Sequence, residues 1–290
     1  MSFGGPYFTL PKFRYLRPDS LEELLSSIHE HSGNAKIMSG GVGLLAFMKE
    51  RLAAPEYVVS ISKVPELKTL QIKGGSLAVG ANVHLSELES GFIRDNLPTL
   101  YMAVRNIADP TVRNMGTLVG DVAEALPWGD AYPALISLEA KAEIIKKGSS
   151  RVVPVNGLVL GLGQINIGED EMISRVLVPL RKIRGTYLKF ANGSEYGLAT
   201  VALTYFTEEK RFNLVIGSAS ETPVTISDSD IGWSFDKDLG TNAEKLERYV
   251  QLNVNPVNDL LASSDFRKNV IRYLSLQAVK EVFLDEGNQN

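Results

Sequence analysis

Cysteine is absent from the 290-residue sequence. Thiolates are the usual ligands of iron–sulfur clusters, and disulfides and cysteine nucleophiles also require thiols, so the chain is expected to carry none of these. Any redox role therefore depends on a bound cofactor.

Histidine is scarce as well, with His29, His31 and His84 as the three residues in the chain. His29 and His31 are two positions apart in a helical pattern, so they point to different sides of the helix. The sequence therefore predicts no metal site.

Long apolar segments and clusters of positive charge are also missing. No apolar run reaches the about 18 residues that a membrane helix needs, and residues 1–13 lack the basic start and apolar core of a signal peptide. We therefore expect a cytoplasmic protein without a membrane span. The net charge of −4 and the lack of a basic face argue against nucleic-acid binding.

The remaining composition is that of an ordinary globular protein, with 44% apolar and 22% charged residues. The length is typical of about two domains. A capping box, Ser20 with Glu23, followed by apolar residues at helical spacing up to Ile28, predicts the first helix.

Two glycine-bearing turns stand where regular elements end. Ser39-Gly40-Gly41-Val42-Gly43-Leu44 follows a predicted strand at 35–39 and precedes a helix with apolar residues from Leu44 to Leu52. Thr117-Leu118-Val119-Gly120-Asp121 comes after a helix predicted at 97–108. Glycine lets backbone N–H groups approach a ligand and helix amino termini favour anions, so the two turns predict a clamp for a phosphate or pyrophosphate.

The other segments are predicted to be mostly antiparallel, with a loop at 156–170, a linker at 181–185 and a long C-terminal helix. That helix is expected to bury Phe266, Val270, Leu274 and Ala278. Gly74-Gly75 is a two-residue hairpin signal. Strands are predicted at 57–61, 69–73, 76–80, 142–145, 151–155, 187–190, 199–205 and 212–218.

A nicotinamide-binding Rossmann domain is an alternative for the first turn, because Gly41, Gly43 and Ala46 fit G-x-G-x-x-A. That motif expects an acidic residue at the end of the next strand, where this chain has Ser60-Ile61-Ser62-Lys63. The sequence therefore disfavours this alternative.

The two turns and the order of elements resemble the flavin-binding medium subunit of the molybdenum hydroxylases, the group of carbon monoxide dehydrogenase, xanthine dehydrogenase and archaeal aldehyde oxidoreductases. In that family the first loop typically reads Ala-Gly-Gly-Thr-Asp-Leu and the second Arg-Asn-x-Gly-Thr-Ile-Gly-Gly-Asn. The second loop here is Arg113-Asn114-Met115-Gly116-Thr117-Leu118-Val119-Gly120-Asp121. The resemblance begins at Leu10-Pro11-Lys12-Phe13, includes Pro65-Glu66-Leu67 and Asp130, and reaches Tyr187-Leu188-Lys189-Phe190.

The resemblance implies an α+β fold. A two-subdomain FAD-binding domain of the vanillyl-alcohol-oxidase (PCMH) type would span residues 1–180, divided near residue 62. A C-terminal domain at 185–290 would pack a small antiparallel sheet with helices. FAD would be held non-covalently between the subdomains. The molybdenum cofactor would belong to a large partner subunit and two [2Fe–2S] clusters to a small one, and this chain would pass electrons to an external acceptor.

The resemblance also implies which residues hold FAD, namely the two loops together with polar contacts from Asp130 and Lys189. No catalytic side chain is expected. The implied cofactor-binding residues are Met38, Ser39, Gly40, Gly41, Val42, Gly43, Leu44, Arg113, Asn114, Thr117, Leu118, Val119, Gly120, Asp121, Asp130 and Lys189.

The chain departs from the family pattern inside both loops. It has Val42-Gly43 for Thr-Asp, Val119 for a glycine and Asp121 for asparagine. A valine at a positive-φ position would be strained, and Asp121 beside a phosphate would repel it. The changes at Val119 and Asp121 leave open a structural subunit that keeps the fold without the flavin. A free-standing flavin oxidoreductase is a separate alternative.

Overall fold

A computed structural model describes residues 9–191 and 196–284. The chain begins with a small parallel sheet of three strands in the order β1, β3, β2. Its elements are β1 (Arg14–Leu16), α1 (Leu21–Glu30), β2 (Ala35–Met38), α2 (Val42–Lys49) and β3 (Tyr57–Ser60).

The predicted start of the first helix is confirmed, because the Ser20 hydroxyl accepts the Glu23 N–H at 3.2 Å. The predicted end of α2 was wrong. The chain leaves the helix at Arg51, whose φ is 61°, and the Leu52 N–H closes onto the Phe47 carbonyl at 2.8 Å. Leu52, expected on the apolar face, is consequently exposed.

The middle of the chain builds a five-stranded antiparallel sheet in the order β4, β5, β10, β6, β7, with short helices inserted between β5 and β6. These elements are β4 (Leu70–Lys73), β5 (Ser76–Gly80), α3 (Gly91–Asn96), α4 (Pro98–Arg105), α5 (Pro110–Met115), α6 (Leu118–Ala123), α7 (Ala131–Ser137), β6 (Lys141–Lys146), β7 (Ser149–Pro154), β8 (Val159–Gly161), β9 (Gln164–Ile165) and β10 (Met172–Pro179).

Both predicted hairpins of this sheet are confirmed. Gly74 and Gly75 have φ of 58° and 73°, the two positive values that a type I′ turn requires. The segment 156–170, predicted to be a loop, contains the paired strands β8 and β9. The central strand β10 was not predicted, although it has five buried residues along its length.

The C-terminal part is a four-stranded antiparallel sheet in sequence order, followed by two helices. Its elements are β11 (Ile183–Ala191), β12 (Gly197–Phe206), β13 (Arg211–Gly217), β14 (Val224–Ser227), α8 (Leu239–Asn253) and α9 (Ser264–Leu284). The predicted linker at 181–185 was wrong, because Ile183 pairs with Phe206 and already belongs to β11. The C-terminal helix is confirmed, but Phe266 is 45% exposed and Ile271 lies in the buried face.

The C-terminal sheet has a different hydrophobic cluster on each face. Val201 and Leu203 pack with the cluster that contains α8 and α9, whereas Ala202 and Tyr187 belong to the cluster of the preceding sheets and helices. This follows from the alternation of side chains along a strand. The sheet thereby packs β12 and β13 against α7, and β11 against α4. No helix in residues 9–191 and 196–284 is long and apolar enough to cross a membrane.

Candidate functional site

The two glycine-bearing loops lie against each other, backbone to backbone. A Cβ on Gly40 would stand 1.6 Å from the Met115 carbonyl oxygen and 3.2 Å from the Gly116 Cα. Only glycine allows this approach. The structure thus joins into one site two segments that are far apart in the sequence.

The segment 82–85, which follows β5, is hydrogen-bonded to both loops. The Ser39 hydroxyl lies 3.0 Å from Asn82 Oδ1, His84 Nδ1 lies 3.1 Å from the Met115 carbonyl oxygen, and the Leu85 N–H donates to the Gly116 carbonyl at 2.9 Å. Sequence reasoning considered His84 only as a metal ligand and did not identify Asn82. No motif marks this segment, so only the fold reveals its role.

The first loop leads into the amino terminus of α2. Gly41 precedes the helix with φ of 76°, a conformation that favours glycine, and offers no side chain to cap it. The first N–H groups of a helix have no acceptor within it, and the helix dipole adds positive potential there. All residues of the loop, 39–44, remain partly exposed. The arrangement is suited to an anion.

The second loop is the start of a helix rather than the turn that the sequence predicted. Thr117 caps α6 by accepting the Gly120 N–H at 3.1 Å. Val119 is buried within this helix and does not have a positive φ. The valine in place of the family's glycine therefore causes no backbone strain. Leu118 is fully buried in the core.

Two carboxyl groups lie on one side of α6, Asp121 within the helix and Glu124 at its end. Asp121 Oδ2 accepts the Ala131 N–H at 3.1 Å and so ties α6 to the start of α7. Glu124 comes three residues later on the same side of the helix, and a Cβ on Gly43 would lie 1.5 Å from Glu124 Oε1. Sequence reasoning missed Glu124, although its helical spacing from Asp121 was a usable signal.

Burial raises the pKa of both carboxyl groups to about 7. For Asp121, the negative charges of Glu124 and Asp130 raise the pKa further, whereas the Ala131 N–H lowers it. For Glu124, the Gly43 N–H is the opposing influence. Near neutral pH each group is therefore only partly ionised.

Asp130 and Lys189 form a buried ion pair behind the loops. Lys189 Nζ lies 2.8 Å from Asp130 Oδ2, and the Tyr187 hydroxyl donates to Asp130 Oδ1 at 2.6 Å. Lys189 also donates to the Asn106 carbonyl at 3.0 Å. Burial raises the pKa of Asp130, and Lys189 opposes this increase. The pair joins α7 to β11, and a direct contact of either residue with FAD stays a prediction.

Arg113 is also engaged with the protein itself. Its side chain is 7% exposed, its Nε lies 2.6 Å from Glu89 Oε1, and it donates to the Ile107 carbonyl at 2.9 Å. It thereby fixes the turn at Ala108, which has φ of 41°. Asn114, the next residue, is exposed beside Met115.

Replacing Glu124 or Asp121 by its amide is expected to stabilise the folded chain more at high pH than at low pH. The pKa of Glu124 in the folded chain lies above its ordinary value of 4.5. The protonated group therefore contributes fully to the stability of the fold below pH 4.5, and this contribution is lost as the pH rises through about 7. Glu124→Gln should therefore raise the free energy of unfolding at pH 8, by on the order of 2 kcal/mol, and by much less at pH 5. Asp121→Asn should behave in the same way.

Urea unfolding at the two pH values measures this difference. Glu244→Gln, at an exposed position of α8, is the matched control and should change neither value. Equal increments at pH 5 and pH 8 for Glu124→Gln would contradict the raised pKa.

Comparison with known proteins places this geometry in context. Residues 11–181 match the family described as the FAD binding domain in molybdopterin dehydrogenase. The chain is 28% identical over 281 residues to the glyceraldehyde dehydrogenase medium chain of Sulfolobus acidocaldarius, covering 94% of this chain and 99% of the relative. It is 36% identical over 172 residues to the carbon monoxide dehydrogenase medium chain of Hydrogenophaga pseudoflava, covering 58% of this chain and 59% of the relative.

Solved structures share the fold. A carbon monoxide dehydrogenase from Hydrogenophaga pseudoflava aligns with a TM-score of 0.89 at 24% identity, over 96% of this chain and 99% of that one. Quinoline 2-oxidoreductase from Pseudomonas putida 86 aligns with a TM-score of 0.87 at 23% identity, over 95% and 98%. The mixed helix and sheet architecture is thus common to these proteins.

Proposed function

This chain belongs to the family of FAD-binding medium subunits of the molybdenum hydroxylases, and we propose that it is the FAD-carrying electron-transfer subunit of such a hydroxylase or dehydrogenase complex. The observation that carries the proposal is the contact of Gly40 with Met115, which brings together the two loops that resemble those of the family. In this role electrons would come from [2Fe–2S] clusters of a partner subunit and leave to an external acceptor.

The residues present fit the pyrophosphate of FAD. Residues 39–44 supply backbone N–H groups and are partly exposed, and the second loop lies against them before it enters the buried start of α6. Backbone N–H groups of this kind bind phosphates without lysine. We assign FAD binding to these two segments. Asp130, Lys189 and Arg113, which are bonded within the protein, hold the junction in place. Bound FAD would supply the redox chemistry, since the chain has no cysteine to hold an iron–sulfur cluster or to form a disulfide.

The proposed organisation follows the sheets. Residues 1–62 and 63–180 would be the two subdomains of a PCMH-type FAD-binding domain, and 185–290 the C-terminal domain. The molybdenum cofactor would lie in a large partner subunit. The names of two relatives, each a dehydrogenase medium chain, support the existence of partner subunits.

A flavin-deficient structural subunit is the second candidate, and Asp121 is the observation that favours it. Val119, which stands where the family has glycine, does not support this candidate, because its backbone is not in a positive-φ conformation. When ionised, Asp121 would repel a flavin phosphate. Its carboxylate accepts a hydrogen bond from the Ala131 N–H, which holds it toward α7.

Electron delivery by the intact complex separates the two candidates. The chain is purified with the subunits that accompany it, its flavin is removed, and reduction of a soluble dye is followed before and after FAD is returned. We expect dye reduction to be lost with the flavin and restored with it. Full activity in the absence of flavin would instead establish a scaffold.

A further inference from the structure

Glu124 occupies a position that the sequence did not assign to any role. Its carboxylate faces the Gly43 N–H at the amino terminus of α2, and Oε1 lies within 1.5 Å of the point where a Cβ on Gly43 would stand. The absence of a side chain at Gly43 is therefore what lets Glu124 reach the helix. Its neighbour Asp121 is already bonded to Ala131 in α7.

The N–H groups that Glu124 approaches are those assigned above to the flavin phosphate. Helix α2 has eight residues, and Gly41 at its start provides no capping side chain. A carboxylate at this end is favoured by the free N–H groups and by the helix dipole, for the same reasons as a phosphate. Two anions cannot both use this end of the helix at close range.

We propose that Glu124 controls the entry of FAD: its carboxylate acts as an internal anion at the amino terminus of α2, and it has to withdraw or become neutral before a flavin phosphate binds there. This inference rests on the proposed FAD site. It assigns to Glu124 a positioning role in cofactor loading and no role in electron transfer.

The charges around Glu124 are consistent with this competition. Asp121 lies in α6, which ends just before Glu124, and Tyr196, just before β12, is within electrostatic range of both carboxyl groups. The cation Lys189 is committed to Asp130. Within residues 9–191 and 196–284 no lysine or arginine forms an ion pair with Glu124, and the Gly43 N–H is the group that lowers its pKa.

The expected effect on FAD binding follows from the protonation of Glu124. Because burial raises its pKa to about 7, the group is mostly ionised at pH 8 and mostly neutral at pH 5.5. If FAD binds the neutral form, ionisation weakens binding about tenfold at pH 8 and hardly at all at pH 5.5. Glu124→Gln removes the charge at nearly constant shape, so it should bind FAD about tenfold more tightly than the natural chain at pH 8 and equally at pH 5.5.

The test is a titration of the flavin-free full chain with FAD at both pH values, followed by quenching of flavin fluorescence. Glu244→Gln is the charge-matched control and should leave both dissociation constants unchanged. Gly43→Ala is a second variant, because its Cβ would displace the Glu124 carboxylate. When Gly43→Ala is already present, adding Glu124→Gln should change the logarithm of the FAD dissociation constant by less than half as much as Glu124→Gln changes it in the natural chain.

The outcomes distinguish the two proposals. Equal or weaker FAD binding by Glu124→Gln at pH 8, with the natural chain binding FAD, overturns the role of Glu124 and leaves the FAD site intact. The same tightening at both pH values also overturns it, because the competition requires the ionised group. Failure of every variant and of the natural chain to bind FAD overturns the proposed function and this inference with it.

Discussion

Gly40→Ala is expected to weaken FAD binding by at least about a hundredfold. Overpacking costs about 3 kcal/mol, and a loss of that size in binding free energy raises the dissociation constant about a hundredfold. The added Cβ would lie 1.6 Å from the Met115 carbonyl oxygen, so the two loops have to separate. The obstacle is backbone rather than a flexible side chain, and no rotamer change relieves it. The dissociation constant for FAD measures the effect.

Gly91→Ala is the matched control for this substitution. Gly91 begins α3, and the nearest group to its added Cβ is the Arg94 guanidinium at 4.0 Å. Alanine is the better helix former, so the control should bind FAD normally and be no less stable. Normal FAD affinity of Gly40→Ala would show that the contact between the loops does not form the site.

Lys189→Met is expected to destabilise the folded chain by about 3 kcal/mol at pH 8, because removing one partner of a buried ion pair leaves the other charge uncompensated. Both side chains are almost completely buried, at 6% and 5% exposure. Lys189 opposes the increase in the pKa of Asp130, so its loss should raise that pKa further. The destabilisation should therefore be smaller at pH 5, where Asp130 takes up a proton more readily.

The double variant Asp130→Asn with Lys189→Met isolates the charge. Asparagine keeps an acceptor for the Tyr187 hydroxyl, so the double variant should be more stable than Lys189→Met alone at pH 8. Urea unfolding at both pH values gives the free energy of unfolding of the natural chain, of Lys189→Met and of the double variant. A loss of less than about 0.5 kcal/mol for Lys189→Met would contradict the structural role assigned to this pair.

Local signals predicted the elements whose residues carry the information themselves. The cap at Ser20 and the Gly74-Gly75 turn were correctly predicted, because a side-chain oxygen or a positive φ acts within a few residues. The strand β10 was missed because its stability comes from two neighbours, β5 and β6, that are far away in the sequence. The linker at 181–185 was wrong for the same reason, since pairing with β12 makes it a strand.

The candidate site shows the same division. The sequence pattern predicted both loops as parts of one site, but the close contact of Gly40 with Met115 and the support from Asn82 depend on tertiary packing. The family resemblance marked Gly43 as a departure without explaining it. The structure explains it through Glu124, whose carboxylate fills the space that the glycine leaves.

The most direct test of the central claim is a titration of the flavin-free natural chain with FAD, monitored by visible absorbance after removal of unbound flavin. The account predicts that one equivalent of FAD is retained by the natural chain, and that Gly40→Ala retains almost none under the same conditions. A natural chain that stays colourless and takes up no added FAD would contradict it.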